Sequence, residues 1–467
     1  MLRHSLVAAL FCAFLTCTTA RAQNLCPVGT VSDKLVCLIP GVFGVNGLAN
    51  DGALVNNGHQ GHFEDSFLSS LTPLNSAVGS QSTLLPLASP SSGITFSWNP
   101  AAKVFSPSTD SLGPILGERA ETIGRYRVFL GFSYQYFKFD SLDGLDLKDP
   151  KKLPAVFTHQ DLGTCSINAP NNGTSSTGPC GFVRDVIKTA NRIDLKIHQF
   201  TTFVTFGLTN RIDVSMAIPM ANVRMGVFST ATIVNNSLSF LHEFRPRPDC
   251  TDPCFNRSFS KARNASGIGD ITLRVKGTAW KGERAGLALG VDVRVPTGDE
   301  LNFMGAGAAG VRPFVVWSYR SRISPHVLVG YETNGSSVLA GDISTGKKAR
   351  LPGQLTYSGG ADVWLTKWLT AAFDLVGQQV FEARRVSVTT FTELGACTTS
   401  ACTSFNTPNI DPNLSQVAGS YNITNASVGV KIRPFSRLLI TGNVLIKLND
   451  GGLRAKVVPL VAVSYTF

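Results

Sequence analysis

The chain has 467 residues, a formal net charge of +11, and only 16% charged residues against 43% hydrophobic residues and 44 glycines. The Lys and Arg excess is scattered, with no dense basic run, which argues against a nucleic-acid partner. Beyond residue 22 there is no run of about 18 or more apolar residues, so a membrane helix is excluded too.

At the amino end, Arg3 and His4 precede the apolar run Leu6 to Leu15, and Ala20-Arg21-Ala22 forms a small-x-small site. Residues 1–22 are therefore expected to be a secretory signal peptide, cleaved after Ala22. Phe14-Leu15-Thr16 before Cys17 does not fit a lipoprotein signal. Past the signal the cysteines fall in sequential pairs: Cys26 and Cys37, Cys165 and Cys180, Cys250 and Cys254, Cys397 and Cys402. An exported chain meets an oxidising compartment, and short loops close at little entropic cost, so these four neighbouring pairs are the expected disulfides. Cys250-x-x-x-Cys254 has His242 nearby but no second ligand pair, so no metal and no cofactor are expected.

Residues 23–121 form a weakly patterned region. Gly41 to Gly61 is Gly- and Asn-rich and should be irregular. Phe63, Phe67 and Leu71 suggest a short helix, and Ile94, Phe96 and Trp98 alternate up to an Asn99-Pro100 turn. The region could be a lumen plug, a periplasmic extension or extra strands. We expect part of 40–115 to enter the lumen, because its apolar residues need cover and irregular backbone at membrane depth survives only inside protein or a wet cavity.

From Thr122 onward, apolar and polar residues alternate. Val128, Leu130, Phe132, Tyr134 and Tyr136 alternate with Arg127, Gly131, Ser133 and Gln135, and Ile271, Leu273 and Val275 with Asp270, Thr272, Arg274 and Lys276. The pattern predicts about twelve strands, fourteen being the other count it admits: 122–140, 188–206, 211–230, 267–280, 285–296, 310–320, 324–334, 353–366, 368–386, 420–433, 437–448 and 455–467. Connections alternate between tight turns and long inserts such as 141–187, 231–266 and 387–419. The fold class this predicts is all-β, an antiparallel transmembrane β-barrel over 122–467 with short periplasmic turns and long external loops. Its partners would be outer-membrane lipid and a small-molecule solute.

With the apolar parity in lipid, the inward parity carries Arg192, Asp194, Lys196, His198, Asp213, Asp270, Arg274, Lys276, Asp292, Arg294, Asp362 and Asp374. These are the expected lumen-lining residues, lining a hydrated path or pairing across the wall. A three-residue loop at Gly282–Arg284 would put Arg274 opposite Asp292. No enzyme is expected. His198 and His326 stand in no catalytic motif, and Gly-x-Ser-x-Gly, His-Glu-x-x-His and Gly-x-x-x-x-Gly-Lys are absent.

The last strand, Val457 to Phe467, resembles the C-terminal recognition strand of bacterial outer-membrane barrels, which ends in Phe. That likeness implies engagement by the barrel assembly machinery through Phe467. Gly207-Leu208-Thr209-Asn210-Arg211-Ile212-Asp213-Val214, Gly267-Ile268-Gly269-Asp270-Ile271-Thr272-Leu273-Arg274-Val275-Lys276 and Val293-Arg294-Val295-Pro296-Thr297-Gly298-Asp299-Glu300 resemble turns and strand starts of one family. It is the outer-membrane transporter family named after the meta-pathway of phenol degradation, loosely similar to FadL-type channels. The resemblance covers 190–334 best. It implies a porin-like channel in the bacterial outer membrane for passive uptake of small, hydrophobic or aromatic molecules, and FadL-type channels carry an amino-terminal hatch. The competing expectation is a non-transport surface protein whose barrel anchors disulfide-pinned external loops for partner binding.

Overall fold

The computed structural model describes residues 26, 33–43, 50–51, 71, 73–79, 81, 96–99, 104–107, 111–159, 174–175, 178–179, 181–237, 242–244, 254–343, 345–399, 402–435 and 437–467. Residues 1–22 with the Ala22 cleavage site, Phe63, Phe67, Cys165, Cys180 and Cys250 lie outside them.

Among the described residues, twelve strands form the barrel: β1 Val128–Leu142, β2 Val186–Gly207, β3 Ile212–Val234, β4 Ile271–Lys281, β5 Ala285–Val295, β6 Gly310–Tyr319, β7 Ile323–Asn334, β8 Gln354–Thr366, β9 Leu369–Glu393, β10 Asn409–Phe435, β11 Leu438–Lys447 and β12 Val457–Thr466. Each pairs antiparallel with its neighbour, and β12 returns to β1 from Leu460↔Gln135 to Thr466↔Phe129. Closure leaves no strand edge unpaired at membrane depth, where an unbonded backbone group has no water to turn to. No helix among the described residues is long and apolar enough to cross a membrane.

Period-two sequence produces the two faces. Phe132 is 53% exposed, Leu289 52% and Val461 56%, and all three point outward, making an apolar belt. Tyr126, Trp280, Trp368, Phe435 and Phe467 are exposed beside the tight turns, forming an aromatic girdle at the end where both chain termini of the wall lie. The expected register of β4 and β5 is borne out. Arg274 stands opposite Asp292 and Lys276 opposite Gly290, with a bulge between Thr278 and Trp280 near the turn.

The wall is taller than expected on the other side. β9 has 25 residues and β10 has 27, where about 9–11 suffice to span a bilayer. They stay paired up to Glu393↔Asn409, so the expected loop 387–419 shrinks to 394–408. Likewise Asn256–Ile268 is strand rather than loop. It pairs with the outer part of β3 from Met220↔Ile268 to Thr232↔Asn256 and prolongs β4 outward. Continued pairing satisfies backbone groups that a loop would leave to water or side chains.

Inside this raised rim the molecule has an apolar core. Phe137, Phe139, Leu147, Leu153, Phe157, Ile193, Leu195 and Ile197 belong to one buried cluster with Leu35, Phe43, Leu71 and Leu74. Helical residues 73–79 are buried within it except Pro73. Phe43 meets Phe259 and Phe157 edge-on, with centroids 5.1 and 5.9 Å apart. Cys26 is bonded to Cys37 and Cys397 to Cys402, as expected. Cys254 is also disulfide-bonded, its partner lying outside the described residues.

Candidate functional site in the lumen

Residues 111–124 run from Ser111 to Gly124 immediately before the wall begins, and every one of them is buried. The segment has no repeating period. Gly113 and Gly124 take positive φ values of 89° and 97°, and Pro114 interrupts any ladder, so it forms an irregular strap. Its backbone must then bond to side chains. Leu112 N–H donates to Thr370 Oγ1 at 3.0 Å, Ala120 N–H to Ser318 Oγ at 3.1 Å and Ile123 N–H to Asp213 Oδ2 at 2.9 Å. The Arg119 and Glu121 carbonyls accept from Lys276 Nζ at 3.0 and 2.9 Å, and the Pro114 carbonyl accepts from Lys431 Nζ at 2.5 Å. The partners come from β3, β4, β6, β9 and β10, all near the tight-turn end.

Ion pairs add to these bonds. Glu118 reaches Lys276 Nζ at 2.8 Å and Arg274 Nη1 at 2.7 Å, Arg119 reaches Asp362 at 2.5 Å, and Glu121 reaches Arg320 at 2.9 Å. Arg274 in turn holds Asp292 at 2.6 Å, and Arg312 bonds the other Asp292 oxygen. Burial pushes the Glu121 carboxyl up, but the guanidinium groups of Arg119 and Arg320, with its own backbone N–H, outweigh burial and hold it below the usual range. Fit at the centre is close. A Cβ on Gly117 would sit 2.2 Å from His326 Nε2. His326 lies between two buried carboxylates, 2.6 Å from Asp374 and 3.6 Å from Asp362.

Beyond the strap lies a cavity of about 240 Å³. One side is apolar, with Phe137, Phe139, Leu445 and Val458; the other carries Arg274, Asp292, Arg294, Arg312 and Glu332.

The sequence-predicted residues divide into two groups. Asp213, Arg274, Lys276, Asp292, Asp362 and Asp374 lie on the inner face and are brought together by the strap and its network, whereas Arg294, also inward, pairs with Glu332 at 3.3 Å apart from it. Asp270 is also inward, but it accepts from Gly298 and Ala306 N–H at 3.0 and 2.7 Å and so ties down loop 296–309. Arg192, Asp194, Lys196 and His198 face outward, contrary to expectation. In β2 the odd residues are the buried set, and His198 shares its face with Phe200, which is 50% exposed. The physical reason is the raised rim. Above the membrane the inside is apolar core and the outside is water, so the hydrophobic parity inverts. His198 accordingly bonds the Tyr134 hydroxyl on the outer surface at 2.9 Å.

Sequence reading missed Glu118, Arg119 and Glu121 as partners of the wall, and Arg312, Arg320 and Lys431 within it. A signal existed for the first three. In a chain so poor in charge, Gly117-Glu118-Arg119-Ala120-Glu121 is a dense charged run placed directly before strand one.

A closed antiparallel wall with an apolar outer belt, an aromatic girdle and a charged inner face defines an outer-membrane β-barrel. Within that class, residues 181–374 match the family described as "Putative MetA-pathway of phenol degradation", the one its turn motifs resemble. No curated protein matches the sequence. An outer membrane channel from Pseudomonas putida F1 is similar in structure, with 12% identity, 74% of this chain and 98% of that chain covered, and a TM-score of 0.39. A Pseudomonas aeruginosa FadL homologue is similar with 10% identity, 73% and 90% covered, and a TM-score of 0.29.

Proposed function

We propose that this barrel is a channel for passive uptake of small, hydrophobic or aromatic molecules across the outer membrane, closed at rest by the strap 111–124. The observation that carries this reading is the strap itself, an irregular segment bonded across the inner face by Glu118, Arg119 and Glu121, with a cavity on its outer side. A purely structural anchor has no need of a hollow above a polar strap. The apolar wall of that cavity supports hydrophobic solutes, and its charged wall supports a wet passage. The outward Val461, Val463, Tyr465 and Phe467 support recognition of the last strand by the barrel assembly machinery. Liposome swelling with a small neutral sugar tests the channel reading. The chain with Glu118→Ala, Arg119→Ala and Glu121→Ala should admit the sugar markedly faster than the native chain. Equal, negligible swelling by both folded barrels would favour a surface protein that transports nothing.

A further inference from the structure

The cavity above the strap is lined by four arginines, Arg274, Arg294, Arg312 and Arg454, against three carboxylates, Glu118, Asp292 and Glu332. One of the three, Glu118, is also shared with Lys276 at 2.8 Å. Arg454 differs from the other arginines. It is only 3% exposed, and no carboxylate among the described residues lies within ion-pairing distance of it; Asp450, whose charge reaches it from farther off, is exposed and paired with Lys447 at 2.5 Å. Its Nε donates to the Asn449 carbonyl at 3.1 Å, and its Nη2 donates to the Thr424 carbonyl at 2.7 Å and to Asn425 Oδ1 at 2.8 Å. All three acceptors are uncharged. Nη1 donates to none of the described residues. A buried cation held by neutral groups is costly unless an anion joins it.

We propose that the cavity binds a small amphipathic acid, its carboxylate against Arg454 and its apolar body against Phe137, Phe139, Leu445 and Val458. The reading rests on the channel assignment and names the solute class of the same lumen. A guanidinium presents parallel donors that match a carboxylate, and no carboxylate of the protein takes that place. The apolar side chains beside Arg454, on the strands paired around it, reward a hydrocarbon body and give nothing to a bare ion. A volume of about 240 Å³ falls below the roughly 300–1,000 Å³ of pockets for drug-sized ligands, so the acid must be small.

Titration calorimetry on the full-length barrel in detergent, corrected against empty micelles, tests this without any flux. The probes are cyclohexanecarboxylate, its neutral counterpart cyclohexylmethanol, and inorganic phosphate. The acid should bind more tightly than either of the others. R454Q should weaken the acid by roughly tenfold or more while leaving the alcohol unchanged, and R454K should recover part of the loss. An alcohol or phosphate that binds the native chain as well as the acid does would overturn the proposal, as would an unchanged affinity in a folded R454Q. The probe comparison on the native chain stands even where R454Q does not fold. Since binding is read without transport, a barrel that binds the acid but swells no liposome would retain this site and lose the channel reading alone.

Discussion

Asp292 joins two guanidinium groups of the lumen wall. It faces Arg274 at 2.6 Å and also bonds Arg312, on a side chain that is 6% exposed. Asp292→Ala would leave two guanidinium groups without that partner. We expect it to cost about 3–5 kcal/mol of wall stability, read as a lower urea midpoint in micelles, whereas a paired surface charge such as Lys447 should cost little. Glu121 yields a prediction about acid. Its folded-state pKa is lowered, so the Glu121–Arg320 tie contributes fully above the ordinary carboxylate range and is lost as pH falls through the lowered value. Ion leak through the native barrel should therefore rise only as pH falls below the ordinary carboxylate range, and Glu121→Gln should leak already at neutral pH with a smaller acid increment. Single residues were legible in the sequence only where period two was strict. Asp270, Arg274 and Asp292 could be assigned to the inner face because Leu273, Val275 and Val291 marked the other one. Glu118 and Arg119 could not be matched to partners 150 or more positions away, because an irregular strap carries no period from which direction could be inferred.

The strands themselves were legible, since each of the twelve expected segments overlaps one observed strand, and the tight turns at 282–284 and 320–322 are where the alternation breaks. β2 shows where this reading fails. Residues 192–198 alternate strictly, but alternation gives two faces without saying which is inside, and the apolar parity passes from odd at Ile193, Leu195 and Ile197 to even at Phe200, Val204 and Phe206. In the belt, lipid takes the apolar face; in the raised rim, Ile193, Leu195 and Ile197 turn inward to the core. The same blindness hid the paired extensions at Asn256–Ile268 and at the outer ends of β9 and β10, where polar residues such as Thr389 and Ser415 read as loop. A labelling experiment on whole cells separates the two orientations. With Lys196→Cys, a membrane-impermeant maleimide should react readily, and with Ile197→Cys it should react hardly at all. The reverse pattern would restore the charged inner face expected for β2.

At the scale of the molecule, the fold is a membrane barrel at one end and a filled, water-facing cup at the other, crossed near its tight-turn end by residues 111–124. The asymmetry of its two ends was visible in the order of short and long connections. The amino-terminal region was anticipated in the lumen over 40–115, yet the bonds that tie it to the wall run on to Ile123, within the first residues assigned to the barrel. If that strap closes the channel, removing it must open one. Planar-bilayer recording of single barrels, native and lacking residues 33–121, measures this most directly, with heat-modifiable mobility confirming that each wall is folded. The account predicts a clear rise in single-channel current on deletion, whereas a folded, deleted barrel that passes no more current than the native one would contradict it.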